Sequence, residues 1–483
     1  MKYNKTAKNN RYSKRKSNNN SSLFWWLIIG GSLFFTYRNN PQLVNNFTEE
    51  FLPNLSNISL VSTRIIRDEF ITKINETDIT AGSISSLQKN KFAEIDNKAL
   101  SVQYSGTSVK ELADILSQLA TTEEEKARII YRWITHNIAY DVVSLNRFTN
   151  ENIYPNVTAE NVLVTRQTIC SGYANLYQKL ANNMGLKSLI VVGYAKGSTD
   201  FVVGDDNTAN HAWNGVKING NWYLVDTTWG AGIVNDNRFE RRFNNFYFAT
   251  NPQHFIYTHF PEDGRWQLLP NPYTRAHFDA LPNVQGNFFE NNLELVSHTQ
   301  KSINAGGNVN ITIKAPSTVE AIASLKSAGQ NLPDNYTLVQ RQGEFLNVMT
   351  SFPQQGNYQL EIFAKPKSDS GDTFPLVLSY EVTANQEGKT FPTIYRHFSQ
   401  NNGYLETPTM GDLYPNQANY FKLRVDNATE VRILDKSTNR WSDLTRYGNL
   451  YTGNVNISSG DVVVFAKFPG DSRYWALLEY QTL

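Results

Sequence analysis

One cysteine, Cys170, occurs in 483 residues, so no disulfide can close within the chain. The seven histidines are scattered along the sequence with no H-E-x-x-H pattern and no cysteine cluster beside them, so a zinc site is not indicated. Asp-rich calcium loops are absent as well. The glycine pairs do not form phosphate loops either: Gly30-Gly31 falls in an apolar run and Gly306-Gly307 opens a strand-like segment. No metal or cofactor is therefore expected. Charge of either sign is not in excess, with 45 Lys and Arg against 44 Asp and Glu and a net charge of +1, which leaves no polycationic surface for nucleic acid. What the chain does have is 40% hydrophobic residues, including 25 Tyr and 27 Phe, in a length that calls for two to four domains.

The balanced charge conceals an asymmetry. The first twenty residues carry Lys2, Lys5, Lys8, Arg11, Lys14, Arg15 and Lys16 with no acid, and an uncharged apolar run from Leu23 to Tyr37 follows. Basic tail before apolar run is the order of a signal peptide or a signal anchor. Arg38-Asn39-Asn40-Pro41 lacks the small-x-small pattern that signal peptidase cuts, which favours an uncleaved anchor at 21–38. The positive-inside rule then leaves residues 1–20 as a basic cytoplasmic tail and puts the rest outside, as a single-pass membrane protein. An unpaired cysteine in an exported chain is open to oxidation, so Cys170 needs a reason to be there. Residues 39–99, Asn- and Ser-rich and without sustained periodicity, read as a spacer.

From residue 100 to 270 the pattern becomes α+β. Ser108-Val-Lys-Glu111 and Thr122-Glu-Glu-Glu125 are capping boxes, the second followed by Ala127, Ile130, Ile134 and Ile138 at helical spacing. A third helix is predicted over 171–184, with Gly185 to end it, and a strand over 188–194. A hairpin is predicted next, with its first strand from His211 to Ile218, the turn Asn219-Gly220, and its second strand from Asn221 through Trp229. Beyond it, short alternating strands such as Asn308–Lys314 and Tyr358–Ala364 indicate two β-sandwich domains, 285–385 and 386–483. A weak repeat supports two copies: Phe363-Ala-Lys365 ahead of Leu376–Tyr380 is echoed by Phe465-Ala-Lys467 ahead of Ala476–Tyr480.

Three of these positions suit one reaction. Cys170 stands at the predicted start of the third helix, where unpaired N–H groups and the helix dipole favour a thiolate and could hold an oxyanion. If Asn219-Gly220 is a two-residue turn, Trp213 faces Asp226 and His211 lies diagonal to Asp226 on the same sheet face, roughly 7–8 Å away at the backbone. An imidazole and a carboxylate bridge that distance. His211 would then take the thiol proton, Cys170 attack an acyl carbonyl, and Asp226 orient the imidazole. Taken singly each residue has a plainer reading, as a small buried hydrophobe, a structural histidine and a turn cap. The combination carries the argument. Gln167 fits a surface loop better than an oxyanion donor, Trp213 and Tyr173 fit a groove wall or core packing equally, and His136 reads as structural.

Ile169-Cys-Ser-Gly-Tyr-Ala174, Asn210-His-Ala-Trp-Asn214 and Trp222-Tyr-Leu-Val-Asp-Thr-Thr-Trp-Gly230 resemble the transglutaminase-like superfamily, especially its kyphoscoliosis peptidase-like branch. The likeness extends through Tyr131–Asp141, Phe246–Pro252 and His259–Trp266. It implies a papain/transglutaminase-like domain followed by Ig-like β-sandwiches, with Cys170, His211 and Asp226 as the catalytic triad. The activity so implied is cleavage or transfer of acyl groups at peptide or amide bonds through a cysteine thioester, and the triad alone does not choose water over an amine. Expected partners are protein or peptide substrates, including cell-envelope components, and the membrane through the N-terminal helix. The alternative is a catalytically silent scaffold on the same fold, since transglutaminase-like domains include such members.

Overall fold

The computed structural model describes residues 91–196 and 209–483. The expected tail, the anchor and nearly all of the spacer lie outside them, and no helix among the described residues is long and apolar enough to cross a membrane.

Three helices open the fold: α1 (Ala93–Ser101), α2 (Val109–Ser117) and α3 (Glu123–Asn137). The first lies inside the segment read as spacer. That reading fails at its C-terminal end, because Phe92, Ile95 and Ala99 are buried in the domain core and Asp96 is tied to Arg128 of α3. The capping box at Thr122 forms as expected, with Glu125 N–H donating to the Thr122 hydroxyl (3.1 Å) and Thr122 N–H to the Glu125 carboxylate (3.2 Å). Such a cap is worth about 1 kcal/mol. At Ser108 only half the box is made. The Ser108 hydroxyl accepts from Glu111 N–H (3.2 Å), but the Tyr104 hydroxyl stands between the other partners, accepting from Ser108 N–H (3.1 Å) and donating to Glu111 (2.9 Å). Ala127, Ile130, Ile134 and Ile138 are all fully buried, as their spacing requires.

A parallel two-stranded pair, β1 (Ala139–Tyr140) with β2 (Gln167–Thr168), closes over α4 (Val142–Glu151) and α5 (Ala159–Thr165) and delivers the chain to α6 (Cys170–Asn183). Gly185, at φ 82°, takes the left-handed turn that ends α6. An antiparallel sheet follows, built from β3 (Ser188–Ala195), β4 (His211–Ile218), β5 (Asn221–Val225) and β8 (His259–Pro261) in the order β5-β4-β3-β8. Between β5 and β8 run the short helix α7 (Thr227–Ala231) and a separate hairpin of β6 (Gly232–Asn235) and β7 (Arg238–Arg241). Asn219 and Gly220 both have positive φ, 49° and 85°, as a two-residue turn matching strand twist requires. Ile218 pairs with Asn221 and Asn214 with Val225, which is the expected register. The second strand ends sooner than expected, at Val225 rather than Trp229.

Two β-sandwiches complete the chain, each with a four-stranded and a six-stranded sheet in equivalent strand order. The sequence repeat is a structural one. Strands Gly356–Pro366 and Leu376–Ala384 pair with a bulge between Ile362 and Phe363 and set Phe363 opposite Leu376. Strands Val462–Lys467 and Trp475–Thr482 pair with a bulge between Val464 and Phe465 and set Phe465 opposite Ala476. The first sandwich shares one continuous apolar core with the helical region, through contacts such as Phe246 stacked on Phe289 at 5.9 Å. The second has a core of its own. Between the sandwiches the nearly buried Gln340 accepts from Leu405 N–H (2.9 Å) and donates to Leu405 C=O (3.3 Å).

Candidate active site

Cys170 is the first residue of α6, and the residue before it, Ile169, offers no side-chain cap. Helices α2 to α5, in contrast, begin on Ser108, Thr122, Asp141 and Thr158, each accepting from an N–H of the first turn. The N–H groups of Gly172 and Tyr173 turn back to Ile169 C=O (2.9 and 3.2 Å). Those of Cys170 and Ser171 precede the first of these bonds and sit where a helix has no carbonyl of its own to offer. Gly172 is required here: a Cβ on it would lie 2.0 Å from the Thr168 hydroxyl. Tyr173 donates its hydroxyl to Ile138 C=O (2.9 Å) and is fully buried, so it packs the helix against the core rather than walling a groove.

His211 opens β4 opposite Gly193 of β3 and is 2% exposed. Its Nε2 lies 2.8 Å from Asp226 Oδ2, and Cys170 is close enough to the same imidazole to raise its proton affinity. The three predicted residues are therefore brought together. Asp226 reaches His211 differently from the expected diagonal sheet pair. It has left the sheet and caps α7, its Oδ1 accepting from Thr228 N–H (2.8 Å) and Trp229 N–H (3.1 Å). The carboxylate is thus both a turn cap and the histidine's partner, one oxygen for each task.

A residue not foreseen as part of the site completes it. His259, the first residue of β8, turns its Nε2 to the same Asp226 Oδ2 at 3.1 Å and its Nδ1 to the Thr258 hydroxyl (2.8 Å). It is 1% exposed and boxed by aromatic rings, stacked on Phe255 at 4.0 Å and edge-on to Trp229 at 4.7 Å and Trp213 at 5.1 Å. The spacing of 33 residues from Asp226 carries no periodicity that would mark the pair. The only sign in the sequence was that His259 heads one of the blocks carrying the family resemblance. The scattered histidines are therefore not scattered in space: His211, Asp226 and His259 offer three ligand atoms within 4.8 Å. At hydrogen-bond distance the carboxylate needs no cation to accept from both rings.

Electrostatics separates the two imidazoles. Burial alone would lower the pKa of His211, but the charge and hydrogen bond of Asp226, with Cys170, push it up to about 10. Burial likewise opposes ionisation of Asp226, yet the His211 charge and the hydrogen bonds from both histidines hold its carboxyl well below the usual range. For His259 burial prevails and pushes it down to about 4 against the pull of Asp226. One carboxylate supports one buried cation, and that cation is His211.

The remaining candidates have other places in the fold. Gln167 is exposed on β2, and His136 is exposed in the last turn of α3 rather than structural. Trp213 is 1% exposed and packs against His211, His259 and Phe255, so it is core wall behind the site rather than an open groove.

Residues 110–227 match the sequence model of the transglutaminase-like superfamily, and residues 275–394 match the KY-like, immunoglobulin-like domain. The chain thus carries a transglutaminase-like core followed by an immunoglobulin-like domain of KY type. It is 31% identical over 304 residues to kyphoscoliosis peptidase of Homo sapiens, covering 62% of this chain and 44% of that one. It is 31% identical over 216 residues to hillarin of Drosophila melanogaster, covering 41% and 25%. The chain therefore matches less than half the length of either relative. A solved TGase structure aligns at 16% identity and a TM-score of 0.20, over 38% of each chain.

Proposed function

We propose that this transglutaminase-like core is a working thiol enzyme that cleaves or transfers acyl groups at peptide or amide bonds. The observation that carries the reading is the buried 2.8 Å contact between His211 and Asp226 on an imidazole that also meets Cys170, at the uncapped start of a helix.

The steps follow from those atoms. Cys170 Sγ, its proton on His211, adds to the acyl carbonyl; the carbonyl π pair moves to oxygen, where the Cys170 and Ser171 N–H groups receive it. Collapse expels the amine, which takes its proton from His211 and leaves a thioester on Cys170. A second nucleophile attacks that thioester while His211 accepts its proton, and the C–S bond breaks to restore the thiol. Water as the second nucleophile makes a peptidase, an amine a transamidase. The name of the human relative, a peptidase, favours water. Asp226 keeps the imidazole facing the sulfur and balances its charge. The basic tail and apolar run support a form anchored in the membrane with this site on the extracytoplasmic side, where protein or peptide substrates, including cell-envelope components, are within reach.

One observation favours the second reading, a silent scaffold: Cys170 is only 9% exposed and His211 and Asp226 less, so the site is closed to a large substrate in this conformation. Alkylation of Cys170 at neutral pH, in the chain with and without His211→Ala, separates the two. The enzyme reading expects a fast reaction that slows at least tenfold when His211 is lost; a slow thiol indifferent to His211 supports the scaffold. Turnover of a peptide amide abolished by Cys170→Ser with the fold intact would complete the case.

A further inference from the structure

We infer that His259 is a positioning residue of this same site, a neutral imidazole that donates to Asp226 and thereby holds His211 with its other nitrogen toward Cys170. The inference rests on the enzyme reading above.

The tautomer of His259 follows from its neighbours. An unprotonated Nε2 would set a lone pair against the carboxylate Oδ2 at 3.1 Å, so Nε2 carries a proton. Burial holds the ring down to about 4, so with Nε2 protonated Nδ1 is bare and accepts the Thr258 hydroxyl at 2.8 Å, the shorter of that hydroxyl's two contacts, the other being Phe255 C=O at 3.3 Å. The titratable groups facing His259 are Asp226 and His211, with the Tyr247 ring at 5.9 Å. Asp226 then has four donors, two N–H groups of α7 on Oδ1 and two imidazoles on Oδ2. Each oxygen is saturated, and the carboxylate cannot rotate without breaking a bond at a position that is fully buried. His211 inherits that fixity through Nε2.

Two consequences distinguish positioning from packing. Sharing Oδ2 draws some of the carboxylate's charge away from His211, so removing the second donor should leave His211 protonated to higher pH. Removing it also frees the carboxylate to turn, which costs rate. Glutamine can place an amide N–H near the Nε2 position, whereas phenylalanine fills the space without a donor.

The test uses the full chain with three forms, wild type, His259→Gln and His259→Phe, reading the pH profile of Cys170 alkylation and the turnover of a peptide amide. Positioning predicts that His259→Phe moves the alkaline limb upward and slows turnover about ten- to a hundredfold, and that His259→Gln recovers most of both. Unchanged profile and rate in a folded His259→Phe, or a His259→Gln as impaired as His259→Phe, would overturn it. Should His259→Phe not fold, nitrogen-15 spectra of histidine-labelled wild type decide: His259 protonated at Nε2 alone across neutral pH supports the inference, and an Nδ1–H or doubly protonated ring refutes it. If wild-type Cys170 is itself indifferent to His211→Ala, the enzyme reading has failed rather than this one.

Discussion

Arg128 on α3 holds Asp96 on α1 through two parallel hydrogen bonds of 2.7 Å each, with the guanidinium 2% exposed and lying over the rings of Phe92 and Phe248 at 4.7 and 4.9 Å. Breaking such a pair strands a buried cation, a loss of about 3–5 kcal/mol. Asp96→Ala should therefore lower stability by roughly 3 kcal/mol in chemical denaturation. A fragment beginning at residue 103 should be insoluble or unfolded by circular dichroism where one beginning at residue 85 folds.

Stability should peak close to pH 6.5 in the cluster around Asp226. His211 is raised to about 10, so its stabilisation is complete below the ordinary 6.5 and is lost as pH climbs toward 10. His259 is lowered to about 4, so its stabilisation is complete above 6.5 and is lost as pH falls toward 4. Asp226, also lowered, begins to add to the acid loss below its ordinary 3.8. Each limb should approach about 1.4 kcal/mol per pH unit. Urea melts of wild type should trace this dome, with His259→Gln flattening chiefly the acid side and His211→Gln removing the alkaline limb and shifting the acid one through its lost charge on Asp226 and His259.

Asp226→Asn is nearly isosteric, yet an amide nitrogen at Oδ2 would face two imidazole N–H groups, and at Oδ1 it would face the N–H groups of Thr228 and Trp229. Neither orientation is satisfied. Turnover of a peptide amide should fall roughly a thousandfold or more, with a measurable loss of melting temperature as well. A variant that kept its rate would mean that Asp226 serves the fold and not the reaction.

Gly172→Ala should disturb the nucleophile through packing alone. The added methyl would meet the Thr168 hydroxyl at 2.0 Å and its methyl at 2.8 Å, at the junction of β2 and α6, and displacing that junction moves Cys170. A cost of about 1–3 kcal/mol is expected, with slower Cys170 alkylation. Thr168→Ala in the same chain should recover part of both, which a double-mutant cycle would measure.

What could be read in the sequence was whatever local geometry decides. Asn219-Gly220 permits one turn type and so one register, which correctly ran from Ile218–Asn221 to Asn214–Val225. The start of α6 at Cys170 and its end at Gly185 were equally local. Legibility failed where a side chain had two backbones to choose from. Asp226 stopped β5 because its carboxylate gains two N–H groups by capping α7, an option that alternation of apolar residues does not encode. Tyr104 broke the box at Ser108 by arriving from outside it. Phe92 and Ile95 looked like spacer because a single helical turn of apolar residues reads as signal only when the face it meets is known. His259 depends on β8 pairing with β3, which no turn links directly.

The division of the apolar core has a mechanical meaning. Since the helical region and the first sandwich share one core and the second sandwich has its own, a pull on the C-terminal end meets the second sandwich as a separate fuse. Across that break the two sandwiches are joined by polar contacts, Gln340 with Leu405 and Lys367 with Asn402 (2.9 Å), rather than by shared apolar core.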